Sequence, residues 1–211
     1  MRKFLVVFLL LGMITLLVAC GGDSNSQPQA AETTSQPANV SDPTLQQLED
    51  EAESNPSTAG YLELGNAYAE RARYSEAVDA YKKGLAINPN DPATLSNLGV
   101  ALYQMGRFNE AKEQFEKALK VKPDDAATTY LLGATYLQMG DQQQAEAMFK
   151  KALSIDPQLP EAHFGLGTLY MLQGKKELAI QEFETFMAGP PAQDPRAKTE
   201  AQRYLNQLKG Q

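Results

Sequence analysis

From residue 58 onward the apolar residues of this chain fall into paired helical stripes. Leu95, Leu98, Leu102 and Tyr103 recur at the spacing that places side chains on one face of a helix. Asn90-Asp91-Pro92 precedes them, a capping residue followed by a proline in the first turn. Gly106 follows, able to take the left-handed backbone that ends a helix. A second helix is expected to open at Asn109, carry Ala111, Phe115, Ala118 and Leu119 on one side, and stop at Pro123. The two stripes predict a helical hairpin. Alone, such a hairpin leaves apolar surface in water, so it needs neighbours of the same kind.

The neighbours are present, because the pattern returns every 34 residues. Leu-Gly stands at Leu64-Gly65, Leu98-Gly99, Leu132-Gly133 and Leu166-Gly167. A small residue follows each at Ala77, Ala111, Ala145 and Ala179, then a ring at Tyr81, Phe115, Phe149 and Phe183. Pro89, Pro123, Pro157 and Pro191 close the blocks. Small Gly and Ala let two helices approach, and the ring fills the space beside them. A fixed period of this length marks stacked supersecondary units. These residues resemble the tetratricopeptide repeat family, over 58–193. The resemblance implies an all-α, right-handed superhelical solenoid of antiparallel hairpins, in four repeats: 58–91, 92–125, 126–159 and 160–193.

Both ends depart from the period. Ser41-Asp42-Pro43 is a start signal, and Leu45, Leu48 and Ala52 follow at helical spacing. Residues 41–57 read as a half-repeat, one helix covering the end of the stack, with Glu49, Asp50, Glu51 and Glu53 as its solvated face. In the first repeat Arg71-Ala72-Arg73 replaces the turn glycine. In the fourth, Phe186 stands where the others carry Gly84, Ala118 and Ala152, so another element must cover it. Residues 194–211, with Ala197, Ala201, Tyr204, Leu205 and Leu208, are expected to supply a capping helix there.

The formal net charge of −7 argues against nucleic acid as a partner, which demands a basic surface. Arg2, Lys3 and the apolar run Phe4 to Val18 form a targeting segment too short for a comfortable membrane span. It ends Leu17-Val18-Ala19-Cys20, and Cys20 is the single cysteine of the chain. The ending resembles the bacterial lipobox. The resemblance implies that 1–19 is a lipoprotein signal peptide and that Cys20 becomes the lipidated first residue. An uncleaved anchor helix, or a plain secretory signal cut near Ala19, are the other readings. With several acyl chains the anchor would be stable. Localisation is then extracytoplasmic, on the cell membrane or, since Gly21 and not Asp follows Cys20, on an outer membrane if the cell has one. Residues 20–40 are Gly-, Ser-, Gln-, Pro- and Ala-rich and read as a disordered tether reaching ~25 Å.

Little catalytic chemistry is visible. His163 is the only histidine. One His without Cys partners makes no structural zinc site, and Gly165-Leu166-Gly167 lacks the strand a phosphate loop requires. A non-enzyme without cofactor, metal or small-molecule substrate is expected, and the concave groove is the surface left for function. In the family the first helices line it. Carried over, the wall consists of Leu62, Glu63, Asn66, Ala69 and Glu70, then Ser96, Asn97, Val100, Tyr103 and Gln104. It continues with Tyr130, Leu131, Ala134, Leu137 and Gln138, then Glu161, Phe164, Gly165, Thr168, Met171 and Leu172. Asn66, Asn97, Tyr103, Tyr130, Leu131, Gln138, Phe164, Thr168, Met171 and Leu172 are the candidate contacts, provided they are open to solvent and not packed between helices.

One subgroup of the family grips acidic chaperone tails with a carboxylate clamp. Asn66 and Asn97 match it, but Leu62, Ala127 and Leu131 stand where it needs cations. An apolar peptide or partner helix is the better expectation. The lipobox with repeats resembles lipoproteins that assist pilus or outer-membrane assembly. An accessory recruiter of cell-wall enzymes is the alternative, and a hydrolase has no supporting residues.

Overall fold

The computed structural model describes residues 43–189 and 195–210; the lipobox, Cys20 and the tether lie outside them. Among the described residues there are ten helices and no strand. They are α1 (Pro43–Ser54), α2 (Thr58–Glu70), α3 (Tyr74–Ile87), α4 (Pro92–Gln104) and α5 (Phe108–Val121). α6 (Ala126–Gln138), α7 (Gln142–Ile155), α8 (Pro160–Leu172), α9 (Lys176–Ala188) and α10 (Pro195–Lys209) complete them. Each helix packs on the next in chain order, and α2, α4, α6 and α8 also touch one another in sequence. The result is a superhelical stack, with the first helices of the hairpins forming one inner layer. None of the described helices is long and apolar enough to cross a membrane.

The helix ends follow from local chemistry. Asp91 and Asp125 accept from the backbone N–H of Thr94 and Thr128, capping α4 and α6, and Ser57 does the same for Gly60 in α2. Such caps satisfy N–H groups the helix itself leaves free. Gly106, Gly140 and Gly174 close α4, α6 and α8 with positive φ. Ala72 stands at the equivalent turn and takes φ 57°, the one non-Gly residue with positive φ among the described residues. α5 opens at Phe108, one residue before the expected Asn109, after Arg107.

The hairpins are held by the pairing of glycine and ring. A Cβ built on Gly99 would lie 2.6 Å from the Phe115 ring; on Gly133, 2.8 Å from Phe149; on Gly167, 2.8 Å from Phe183. Any side chain there would force the helices apart. The rings are essentially solvent-free, as are Ala77, Ala111, Ala145 and Ala179 beside them. Core density of this kind is what makes each methylene count. A thinner set of bonds ties successive repeats. Tyr68 donates to Glu49 at 2.5 Å, Tyr136 to Glu116 at 3.3 Å and Tyr170 to Glu146 at 3.2 Å. Each reaches from a first helix to the second helix of the preceding unit.

At the C-terminal end, Phe186 is buried, and α10 covers it. Phe164 meets Phe183 and Phe186 edge-on at 5.6 and 5.3 Å, and Tyr204 of α10 lies 5.4 Å from Phe183 and 6.3 Å from Phe164. Ala197, Ala201 and Leu205 are the buried face of α10. Lys209 adds a 2.7 Å ion pair to Glu184.

Candidate functional site

The inner layer divides into a polar first half and an apolar second half. In the first half Asn97 Nδ2 donates to Asn66 Oδ1 at 2.8 Å, joining α4 to α2. The Tyr81 hydroxyl donates to the same oxygen, also at 2.8 Å. Asn66 Oδ1 therefore accepts twice. Its own Nδ2 and the Oδ1 of Asn97 have no partner among the described residues, and both side chains are half-buried. Ser96 and Thr128 join α4 to α6 through a 3.0 Å hydroxyl pair. Asp125 accepts from the Thr128 hydroxyl and backbone and from Lys122. Burial pushes its carboxyl up, but these bonds outweigh that and hold it below its ordinary value.

In the second half, Tyr130 and Leu131 of α6 are half-buried, Met171 is half-buried and Leu172 is 48% exposed. Tyr130 leans on Phe149 at 5.7 Å. Burial pushes its phenol well above the usual range, and the nearby Glu161 carboxylate adds to this. Glu161, in the first turn of α8, has its own carboxyl pushed up, first by burial and then by Asp156. Its Oε2 is out of contact with solvent and has no hydrogen-bond partner. Such a carboxylate costs stability in its ionised form.

Three candidate contacts are placed elsewhere. Tyr103 is only 6% exposed, edge-on to Phe108 at 5.1 Å. Burial raises its phenol to about 12, against a hydrogen bond with Gln138 that works the other way. Gln138 itself is exposed. Phe164 is buried beneath α9 and α10, and Thr168 is buried with its hydroxyl donating to Phe164 O at 3.0 Å. These three side chains offer a partner almost no surface. Gly165, also carried to the wall, is buried against Phe149 of the preceding hairpin, where a Cβ would lie 2.9 Å from the ring. It is a packing glycine between repeats. The amide ladder and the desolvated Glu161 are the features sequence reasoning missed. The 31-residue offset of Asn66 and Asn97, one helical turn short of the repeat, was the available signal.

His163 stands away from this wall. Its Nδ1 lies 2.7 Å from Glu182 Oε2 on α9, and its Nε2 lies 3.3 Å from Pro157 O. The ring thus sits between α9 and the loop before α8, within hydrogen-bond distance of both. Among the described residues no group of His, Cys, Asp and Glu could hold a metal ion.

Three overlapping family models match the chain. Those described as tetratricopeptide repeat match residues 91–158 and 136–208, and one described as TPR repeat matches 65–106. No curated protein matches the sequence. Solved structures share the fold. MamA residues 41 to the end from Desulfovibrio magneticus is 24% identical, with a TM-score of 0.64, over 69% of this chain and 83% of that one. Pseudomonas aeruginosa PilF is 22% identical, with a TM-score of 0.64, over 81% of this chain and 83% of its own. YrrB, described as a TPR protein with an unusual peptide-binding site, is 17% identical, with a TM-score of 0.59, over 77% and 92%.

Proposed function

For a chain that belongs to the tetratricopeptide repeat family, as this one does, we propose the role of a protein-interaction scaffold that takes a peptide or partner helix on its inner wall. The observation that carries this is the wall itself. Asn66 Nδ2 and Asn97 Oδ1 are a donor and an acceptor with no partner among the described residues, beside half-open Tyr130, Leu131 and Met171 and exposed Leu172 and Gln138. A free amide pair bonds a partner backbone whatever its sequence, while apolar neighbours select side chains. YrrB, a neighbour in fold, is described as having a peptide-binding site.

The scaffold is proposed to be membrane-tethered through lipid on Cys20, outside the cytoplasm, on the cell membrane or outer membrane. The lipobox-like run before Cys20 supports this. An anchored wall that takes up partner segments suits assistance in envelope or pilus assembly. Two measurements test the proposal. Metabolic acyl labelling is expected for the full chain and lost in Cys20→Ala; equal labelling, or none in either, removes the anchor. A photo-cross-linking side chain at Leu131 or Leu172 should join discrete protein partners in native membranes, and one at Glu113 on the outside of α5 should not. Equal cross-linking from both faces removes the groove.

A further inference from the structure

The wall carries a charge signature that narrows the partner, and the inference rests on the groove reading above. None of the wall positions of the four repeats carries Lys or Arg, while Glu63, Glu70 and Glu161 carry carboxylates. Glu63 and Glu70 are exposed and have no cation partner among the described residues. The cations at the neighbouring turns are already engaged. Arg73 is held by Glu76 at 2.9 Å and Arg107 by Glu110 at 2.6 Å, and Lys175 lies over the Tyr170 ring. Acidic groups therefore stand on both halves of the wall, while its own positions supply no cation.

We propose that the groove selects a segment whose apolar side chains are interspersed with Lys or Arg, and rejects an acidic one. In the second half the fit is specific. Glu161 and half-buried Tyr130 both stand on this half of the wall, so a guanidinium or ammonium arriving there would meet a carboxylate and an aromatic side chain. Glu161 Oε2 has no hydrogen-bond donor, and a cation arriving beside this half-buried carboxylate offsets part of the cost of its burial. Glu63 and Glu70 in the first half act over a longer range, speeding encounter with a basic segment and repelling an acidic one. Leu131 and Leu172 take the apolar side chains between.

Selection of short random peptides on the immobilised full-length protein tests this, followed by affinity measurement on one selected synthetic peptide. The enriched peptides should carry Lys or Arg among Leu, Phe and Met, and be depleted of Asp and Glu. Affinity should fall as salt rises from ~0.05 to ~0.5 M, because screening shortens the reach of the wall charges. The isosteric set Glu63→Gln, Glu70→Gln and Glu161→Gln should weaken the peptide by about tenfold, with the thermal melt retained. Leu131→Arg should abolish binding and Leu131→Glu should spare it. Enrichment without charge preference, enrichment of acidic peptides, or equal damage from Leu131→Arg and Leu131→Glu would overturn the charge assignment and leave an uncharged groove standing. No enrichment at all would overturn the groove and this inference with it.

Discussion

The two halves of the inner wall reach the same architecture by opposite means. Between α2 and α4 the exposed layer is polar and bonded to itself: Asn97 to Asn66, Tyr81 to Asn66. Between α6, α8 and α10 it is aromatic and packed: Tyr130 on Phe149, Phe164 among Phe183, Phe186 and Tyr204. The first half keeps polar atoms available because one side chain, Asn66, accepts twice and still has its amide hydrogens to give. The second half closes part of its own wall, because Phe186 in place of a small residue demands a cover, and that cover buries Phe164 as well. Polarity leaves the first half open. Apolarity leaves the second half open where the stack covers a side chain only in part, at Tyr130, Leu131 and Met171, and at exposed Leu172.

The largest effect that would break this comparison comes from removing α10. Without 195–211, Phe164, Phe183 and Phe186 lose their cover. At 1.5–3 kcal/mol for each large side chain, on the order of 5 kcal/mol of the C-terminal half's stability should go. The expected readouts are an early melting step and self-association by light scattering. A monomer with an unchanged melt would show that α10 contributes nothing. Next comes Asn66→Ala, which strands the Tyr81 hydroxyl and the Asn97 amide. Leaving such groups unsatisfied should cost ~1–3 kcal/mol by denaturant unfolding, and the loss should fall on the first half. A cost below the error of the measurement would mean the amide ladder is decoration.

The smallest effect sharpens the second half. Burial raises the Glu161 carboxyl above its ordinary value in the folded state. Stability from such a group is fully present below the unfolded value, ~4.3, and is lost as pH rises through the folded value. Glu161→Gln should therefore melt slightly higher than the parent at neutral pH, with the gain vanishing below pH ~4. A variant that is less stable at neutral pH would show that the carboxylate has a partner and is not held at a cost.

Much of this was legible in the chain because a repeat states its contacts several times over. Gly99 opposite Phe115 is visible in one hairpin and confirmed by the next, since the same volume must be filled at each turn of the stack. The wall was less legible. Tyr103, Phe164 and Thr168 share the register of open residues, yet each is covered: Tyr103 by Phe108 of the partner helix in its own hairpin, Phe164 by α10, and Thr168 by the packing around α8, with its hydroxyl turned to Phe164 O. Gly165 looked like a wall position and is a spacer for Phe149. Periodicity reports which residues share a face, not which neighbour lies on it.

The amino-acid sequence by itself determined the hairpins, their number, their small-against-large pairing and the all-α stack, because those depend on contacts at fixed, short separations. Only the tertiary structure decided which inner residues stay open. α6 and α8 are apolar almost all the way round, so no stripe marks their free side. What frees or buries each residue there is the packing of the next repeat and of α10, an arrangement that exists only once the stack is assembled.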